Sequence, residues 1–253
     1  MGYTTMRMSG RVTRPTAVGL FLAFILALEG PALAQGVIDM PALTQETQKL
    51  ARTPGDITMV WWIPEDYWRA SMAVNSQMTK AKLDEFIELL SPYTMVAVVD
   101  GKIGTFGSVT YKSEESIRES IVIKDNQGQS YIPLAEDAVS ANMKTMLQII
   151  KPMVANMLGN MGQNLHFVLF PTRTKEGTLI ADAWKKGSFR VFLGTREFKW
   201  RLPLDSLLPG KKCASCGEEA KGSWIFCPWC GAKLPAAPAA KETERQSAPA
   251  VRK

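Results

Sequence analysis

The chain has 253 residues, of which 46 % are hydrophobic and 21 % are charged, an ordinary balance for a globular protein. This length is enough for one sizeable domain and a small additional module. The formal net charge is +6, but the lysines and arginines are scattered along the chain. Their spacing excludes a consecutive nucleic-acid-binding arm or polybasic membrane segment, and it predicts a solvated surface.

The N-terminal part, residues 1–34, has the pattern of a signal peptide. Three arginines precede an apolar run at 16–28, and Ala32 and Ala34 form the small-x-small pattern of a cleavage site. The apolar run is shorter than the roughly 20 residues that a comfortable membrane span needs. The sequence therefore predicts export to the periplasm or cell envelope, with an uncleaved N-terminal membrane anchor as the alternative.

The middle of the chain alternates between strand-like segments and two segments with helical periodicity. In chain order we predict a polar lead-in with one short helix at 35–56, a strand at 57–64, and a helix capped by Thr79 that ends near Leu90. Strands at 94–100 and 105–111 and a hairpin at 120–134 follow. The last predicted elements are a helix at 138–161 that Pro152 kinks or splits, a strand at 165–171 and a hairpin at 188–202.

These elements predict the fold class and the division into domains. Strands dominate and the helices do not alternate regularly with them, so we predict an α+β fold. Its main part is a β-rich domain at 57–209, sandwich-like in one arrangement, with about two helices packed on one side. A small cysteine module follows at 210–234. The tail at 235–253 has no aromatic residue, leucine or isoleucine to bury and is predicted to be disordered.

All four cysteines lie in the small C-terminal module. They form two C-x-x-C pairs, separated by ten residues and each followed directly by glycine: Cys213, Cys216, Cys227 and Cys230. Two thiolates in a tight turn can reach one tetrahedral ion at about 2.3 Å. Glycine readily adopts the positive φ that is useful directly after such a turn. The pattern therefore predicts a site for one Zn²⁺.

In this segment of about 22 residues, the chain resembles the zinc-ribbon family in its two-knuckle C-x-x-C-G … C-x-x-C-G form. The resemblance implies a small β-rich fold held by one structural Zn²⁺, which is bound through these four cysteines and does not take part in catalysis. Zinc ribbons commonly serve as interaction or bracing modules, so the resemblance leaves the role of the protein open.

Two other interpretations of the cysteines remain open at this point. An exported protein meets oxidising conditions, and four cysteines allow three disulfide pairings. The second pair, within "CPWC" at 227–230, is also similar to a thiol-redox site. Such a site needs its first cysteine at a helix N-terminus. The strand-like "WIF" before Cys227 and the glycine after Cys230 disfavour a helix there.

Three further features of the sequence are candidates for binding or chemistry. The stretch "WWIPEDYW" holds aromatic residues that either contact a ligand or partner or fill the core: Trp61, Trp62, Tyr67 and Trp68. Methionines on the predicted helix at 138–161 either bind Cu(I) or serve core and partner contacts: Met143, Met146, Met153, Met157 and Met161. His166 is the only histidine, and its alternating apolar neighbours predict a core or edge position.

The sequence shows no complete catalytic constellation, and no G-x-S-x-G nucleophile motif occurs in it. We therefore expect an exported, non-enzymatic binding or assembly protein of the cell envelope, although an enzyme remains an open alternative. Its expected partner is a protein of unknown identity; the sequence indicates neither a nucleic-acid partner nor a membrane span in the mature chain. A copper-handling or thiol-redox protein is the second hypothesis, and a hydrolase is the third.

Overall fold

The fold is described from a computed structural model of the chain, for residues 1–2, 38–51, 53–73 and 78–236. The predicted signal peptide at 1–34 and the predicted disordered tail at 235–253 lie outside these ranges, apart from two residues of each. Within the described ranges, no helix is long and apolar enough to cross a membrane.

The described ranges contain five α-helices and eleven strands. The helices are α1 (Met40–Thr47), α2 (Glu65–Ala73), α3 (Lys80–Leu90), α4 (Glu114–Ser120) and α5 (Ala141–Met157). The strands are β1 (Gln48–Leu50), β2 (Asp56–Ile63), β3 (Tyr93–Ile103), β4 (Val109–Tyr111), β5 (Ile121–Lys124), β6 (Ser130–Tyr131), β7 (His166–Pro171), β8 (Gly187–Leu193), β9 (Arg196–Leu202), β10 (Lys211–Lys212) and β11 (Glu219–Ala220).

The strands form two main antiparallel sheets and a small two-stranded one. The first sheet runs in the order β1-β2-β3, and β3 pairs with β7 along one stretch and with β4 along another. The second sheet has the order β6-β5-β8-β9, and the third consists of β10 and β11. With its antiparallel sheets and interspersed helices, the chain has the predicted α+β fold.

Several predicted elements are confirmed with their local causes. Helix α3 begins after Thr79, whose hydroxyl accepts a hydrogen bond from the backbone N–H of Lys82 at 3.3 Å. The hairpin of β8 and β9 turns at Gly194, whose φ of +60° suits the first central position of a two-residue hairpin turn. Burial alternates along β9, so its apolar residues face the core.

The structure differs from the prediction mainly in its helices. Helix α2 follows Pro64 directly, and α4 is a short helix capped by Ser113, and neither was predicted. Helix α5 continues through Pro152 rather than splitting there, and a 3₁₀ helix at Gly159–Asn164 follows it. Proline cannot donate the helical hydrogen bond and usually breaks a helix. Here the helix continues on both sides of it.

Aromatic side chains of both main sheets pack together in the core. The segment predicted as a lead-in also contributes residues to this core. The ring centroids of Trp62 in the first sheet and Phe189 in the second sheet are 5.0 Å apart. Thr47 of α1 is fully buried and binds two indoles: its hydroxyl accepts from Trp61, and its carbonyl oxygen accepts from Trp200. Residues 40–50 therefore contribute to the core of the main domain.

A buried ion network also links the two sheets. The Arg196 guanidinium of β9 donates to both carboxylate oxygens of Asp100 in β3 at 2.7 Å. Lys112 Nζ lies 2.9 Å from the same carboxylate, and the Thr58 hydroxyl donates to it at 2.8 Å. Burial raises the pKa of Asp100, but these donors outweigh that effect and hold it below its ordinary value. The buried carboxylate of Asp100 therefore depends on these partners to remain ionised.

We expect Gly162→Ala to destabilise the junction between α5 and β7. A Cβ atom at Gly162 would lie only 1.8 Å from the backbone oxygen of Ala155, so the backbone has to move. Overpacking of this kind costs about 1–3 kcal/mol of unfolding free energy, which denaturant titration measures. Gly210→Ala is the matched control, because its Cβ would meet the nearest atom at an ordinary 3.7 Å. Equal effects of the two changes would contradict this account.

Candidate metal centre

The two cysteine pairs fold into two turns with the same backbone pattern. The N–H of Gly217 donates to the carbonyl of Cys213 at 2.9 Å, and the N–H of Gly231 donates to that of Cys227 at 3.0 Å. Both glycines have positive φ, +76° and +74°, a conformation that side chains disfavour. This repeated geometry explains why glycine directly follows each C-x-x-C pair.

These turns bring the four sulfurs of the sequence-predicted site together. The Sγ atoms all lie within 4.8 Å of one another, and the Cys213–Cys230 and Cys216–Cys227 sulfurs are each 3.6 Å apart. A disulfide would need about 2.05 Å between sulfurs. Four ligands at about 2.3 Å around a tetrahedral zinc ion lie roughly 3.8 Å from each other. The cluster is therefore compatible with one bound metal ion such as zinc.

The thiols of Cys213 and Cys216 have different pKa values, and their surroundings explain the difference. Backbone N–H groups of Cys216 and Ser215 point at the Cys213 sulfur and lower its pKa to about 7. At Cys216 the backbone N–H of Glu218 acts in the same direction, but desolvation and the neighbouring thiols outweigh it and raise the pKa to about 12. Four adjacent thiolates repel one another, so full ionisation of the cluster requires a cation among them.

The module around the cluster has a very small core of its own. Its buried residues form a group separate from the core of the main domain: Cys213, Ala220, Cys227 and Leu234. Such a core stabilises a fold only weakly, and small modules often depend on a metal for most of their folding free energy. The described contacts between the module and the 3₁₀ helix at Asp205–Leu207 include polar ones, with Asp205 bonded to Ser223 and near Lys221.

The second turn and the strand-like residues before it carry exposed apolar side chains. We call residues 224–229 the aromatic segment. Trp229 is 71 % exposed, Phe226 60 %, Ile225 55 % and Trp224 36 %. The sequence "WIF" predicted only a strand before Cys227. The module has few other apolar groups that could cover these three large residues. Their exposure could therefore have been predicted from the sequence.

The other candidate residues do not join the cysteine cluster. Trp61, Trp62, Tyr67 and Trp68 are all buried in the main core, so they do not form an exposed contact face for a ligand or partner. They contact one another or neighbouring aromatics, for example Trp61 and Tyr67 with ring centroids 5.0 Å apart. Their clustering in sequence reflects core packing.

The methionines of α5 and the only histidine have different environments. Met143 is fully buried, whereas Met153 and Met157 are 57 % and 65 % exposed, so the methionines do not share one environment. His166 lies at the start of β7, partly exposed, with its Nδ1 3.4 Å from a carboxylate oxygen of Glu114. A cavity of about 740 Å³ lies elsewhere, between β1 and β9, and neither histidine nor cysteine lines it.

Comparison with known proteins finds no family model, no curated protein and no solved structure that matches this chain.

Proposed function

We propose that this chain is an exported, non-enzymatic binding or assembly protein of the cell envelope, and that its C-terminal module is a zinc ribbon. One structural Zn²⁺ is bound by Cys213, Cys216, Cys227 and Cys230. The N-terminal pattern at 1–34 motivates the export, with removal of the leader after Ala34 or its retention as an anchor.

The observation that carries the binding role is the aromatic segment beside the cysteine cluster. Exposed aromatic side chains are enriched where proteins bind partners, because they bury much apolar area and lose little rotamer entropy. A run of neighbouring exposed apolar side chains is typical of an interaction site, whereas a single exposed apolar residue is common on a monomer. We infer that the ribbon positions Phe226 and Trp229 against a partner protein.

The cysteine cluster itself supports a structural role for the metal. Four thiolates complete the tetrahedral coordination of zinc, so no position is left for a substrate or an activated water. Residues 227–230 form a turn rather than the start of a helix, and the dipole that activates thiol-redox cysteines is therefore missing at Cys227. Both features favour a binding module over a catalytic one.

Site-specific photo-crosslinking tests this function. We expect a photoreactive phenylalanine analogue at position 229 of the full chain, produced in its cell of origin, to give a discrete protein adduct in the envelope fraction. The matched control places the analogue at Ile132, which is 72 % exposed directly after β6. The control should give no discrete adduct. Equal adducts at both positions, or an adduct only in the cytosol, would refute the proposed function.

A further inference from the structure

The outer face of the second sheet carries a row of three like charges on neighbouring strands. Lys124 of β5 lies directly opposite Arg190 of β8, and Arg190 lies directly opposite Lys199 of β9. We call these three residues the basic row. Neighbouring strands are about 4.8 Å apart, so three cations fall within roughly 10 Å. Like charges directly opposite each other destabilise a sheet, and the row is therefore costly unless something compensates it.

The described part of the chain does not provide that compensation. None of the three residues forms an ion pair with a described carboxylate. The Arg190 Nε atom is buried without a hydrogen-bond acceptor, and a lone buried donor of this kind costs free energy. Lys124 Nζ lies 4.8 Å from the centroid of the Phe192 ring, its one described ring contact. The described carboxylates therefore leave the charges of the basic row unpaired.

The same face offers space and further charge for an oxyanion. A cavity of about 390 Å³ opens beside Lys199 and Arg201, with Gly187 and Ser188 on its other side. Arginine and lysine side chains around such a space bind phosphate oxygens, and guanidinium does so with two parallel hydrogen bonds. Glu197 is the one acidic residue in β8 and β9, and it lies in the row next to Lys199.

We propose that this face binds the phosphate groups of an anionic membrane surface. The face combines its cations with half-buried Val122 and Phe192 in the adjacent row, and mixed apolar and cationic surfaces bind at lipid headgroups. On β5, β8 and β9, which carry the basic row, Phe192 is the one partly exposed aromatic residue, and a single ring is too little for a stacking platform for nucleic acid. This face is separate from the aromatic segment, and the proposal does not rest on the function proposed above.

Lys199→Glu separates membrane binding from structural stability. The new carboxylate would lie opposite Arg190, which replaces a like-charge pair with an opposite-charge pair and should raise the melting temperature. Membrane binding should fall at the same time, because the face loses two units of positive charge. At the usual contribution of a basic residue near an anionic membrane, the partition coefficient falls about 30-fold.

The measurement is co-sedimentation of the full chain with vesicles of phosphatidylglycerol and phosphatidylcholine, compared with phosphatidylcholine alone. Lys82→Glu is the matched control, since it makes the same charge change at an exposed position in the first turn of α3. We expect binding only to the anionic vesicles, with a large loss for Lys199→Glu and a small one for Lys82→Glu.

Three results would overturn the proposal. Equal losses for the two variants would show that only net charge matters. Equal binding to neutral vesicles would assign the binding to apolar parts of the chain. Absence of vesicle binding, together with saturable binding of inorganic triphosphate or a single-stranded oligonucleotide, would assign the face to a soluble phosphate ligand or to nucleic acid.

Discussion

Replacing Cys213 with serine is expected to abolish zinc binding and to unfold the C-terminal module. A serine hydroxyl is a poor ligand for zinc, and three thiolates hold the ion much more weakly than four. Because the core of the module consists of a few small residues and Leu234, metal binding and folding should be one event there. Limited proteolysis should then cut within residues 210–236, whereas the domain before it stays resistant.

The matched variants distinguish metal ligation from other roles of the cysteines. Cys230→Ser should behave like Cys213→Ser, because both sulfurs belong to the same cluster. Ser215→Ala, between the first two cysteines, should keep zinc and fold normally. A thiol-redox pair predicts instead that one cysteine is uniquely reactive and its neighbour resolves the intermediate. Unequal phenotypes of the two cysteine variants would therefore contradict a structural zinc site.

Asp100→Ala is expected to be the most destabilising single change in the main domain. It removes the carboxylate that pairs with Arg196 and Lys112 and leaves the partly buried guanidinium without its main partner. Removing one member of a buried ion pair costs about 3–5 kcal/mol of unfolding free energy, because the other charge stays desolvated. Chemical denaturation of the full chain measures this loss.

The exposed Asp84 provides the control for this prediction. It pairs with Lys80 at 2.6 Å, and hydrogen bonding by that lysine lowers its pKa too, but both side chains lie largely in solvent. Ion pairs that are exposed to solvent contribute little to the free energy of unfolding. Asp84→Ala should therefore destabilise the protein far less than Asp100→Ala. Comparable effects of the two changes would mean that the Arg196 network does not hold the sheets together.

The pH dependence of stability follows from the same network. Because the pKa of Asp100 in the folded state lies below its ordinary value of 3.8, the folded protein binds fewer protons there than the unfolded chain does. The stabilisation is complete well above pH 3.8 and is lost as the pH falls from there towards the folded-state pKa. Asp100→Ala should flatten the loss of stability in that window.

The features of this fold that follow from local patterns could be predicted from the sequence. The hairpin of β8 and β9 shows strict alternation of burial, and α3 has both a capping threonine and a single apolar face. Helix α2 was not predicted, because Tyr67 and Trp68 were interpreted as ligand contacts or core filling and not as one face of a helix that begins after Pro64. Helix α4 is only seven residues long, too short for a clear helical period.

Features that depend on the pairing of distant residues could not be predicted. The cysteine cluster is not one of these features, because its residues are close in the sequence and their spacing alone predicted four converging sulfurs. In the basic row, Lys124 is distant in the sequence from Arg190 and Lys199, and only the pairing of β5 with β8 brings it beside them. The scattered charges of the sequence therefore suggested an ordinary solvated surface. In the same way, Arg196 and Asp100 meet only because the two sheets pack face to face.

We propose that the four cysteines hold one structural zinc ion, and a combined zinc and thiol assay of the purified protein tests this proposal. A structural zinc site predicts one zinc ion per chain and four thiols that react in denaturant once a chelator has removed the metal. Disulfides formed after export would leave no zinc and no reactive thiols. That result would contradict the zinc site and favour the disulfide interpretation instead.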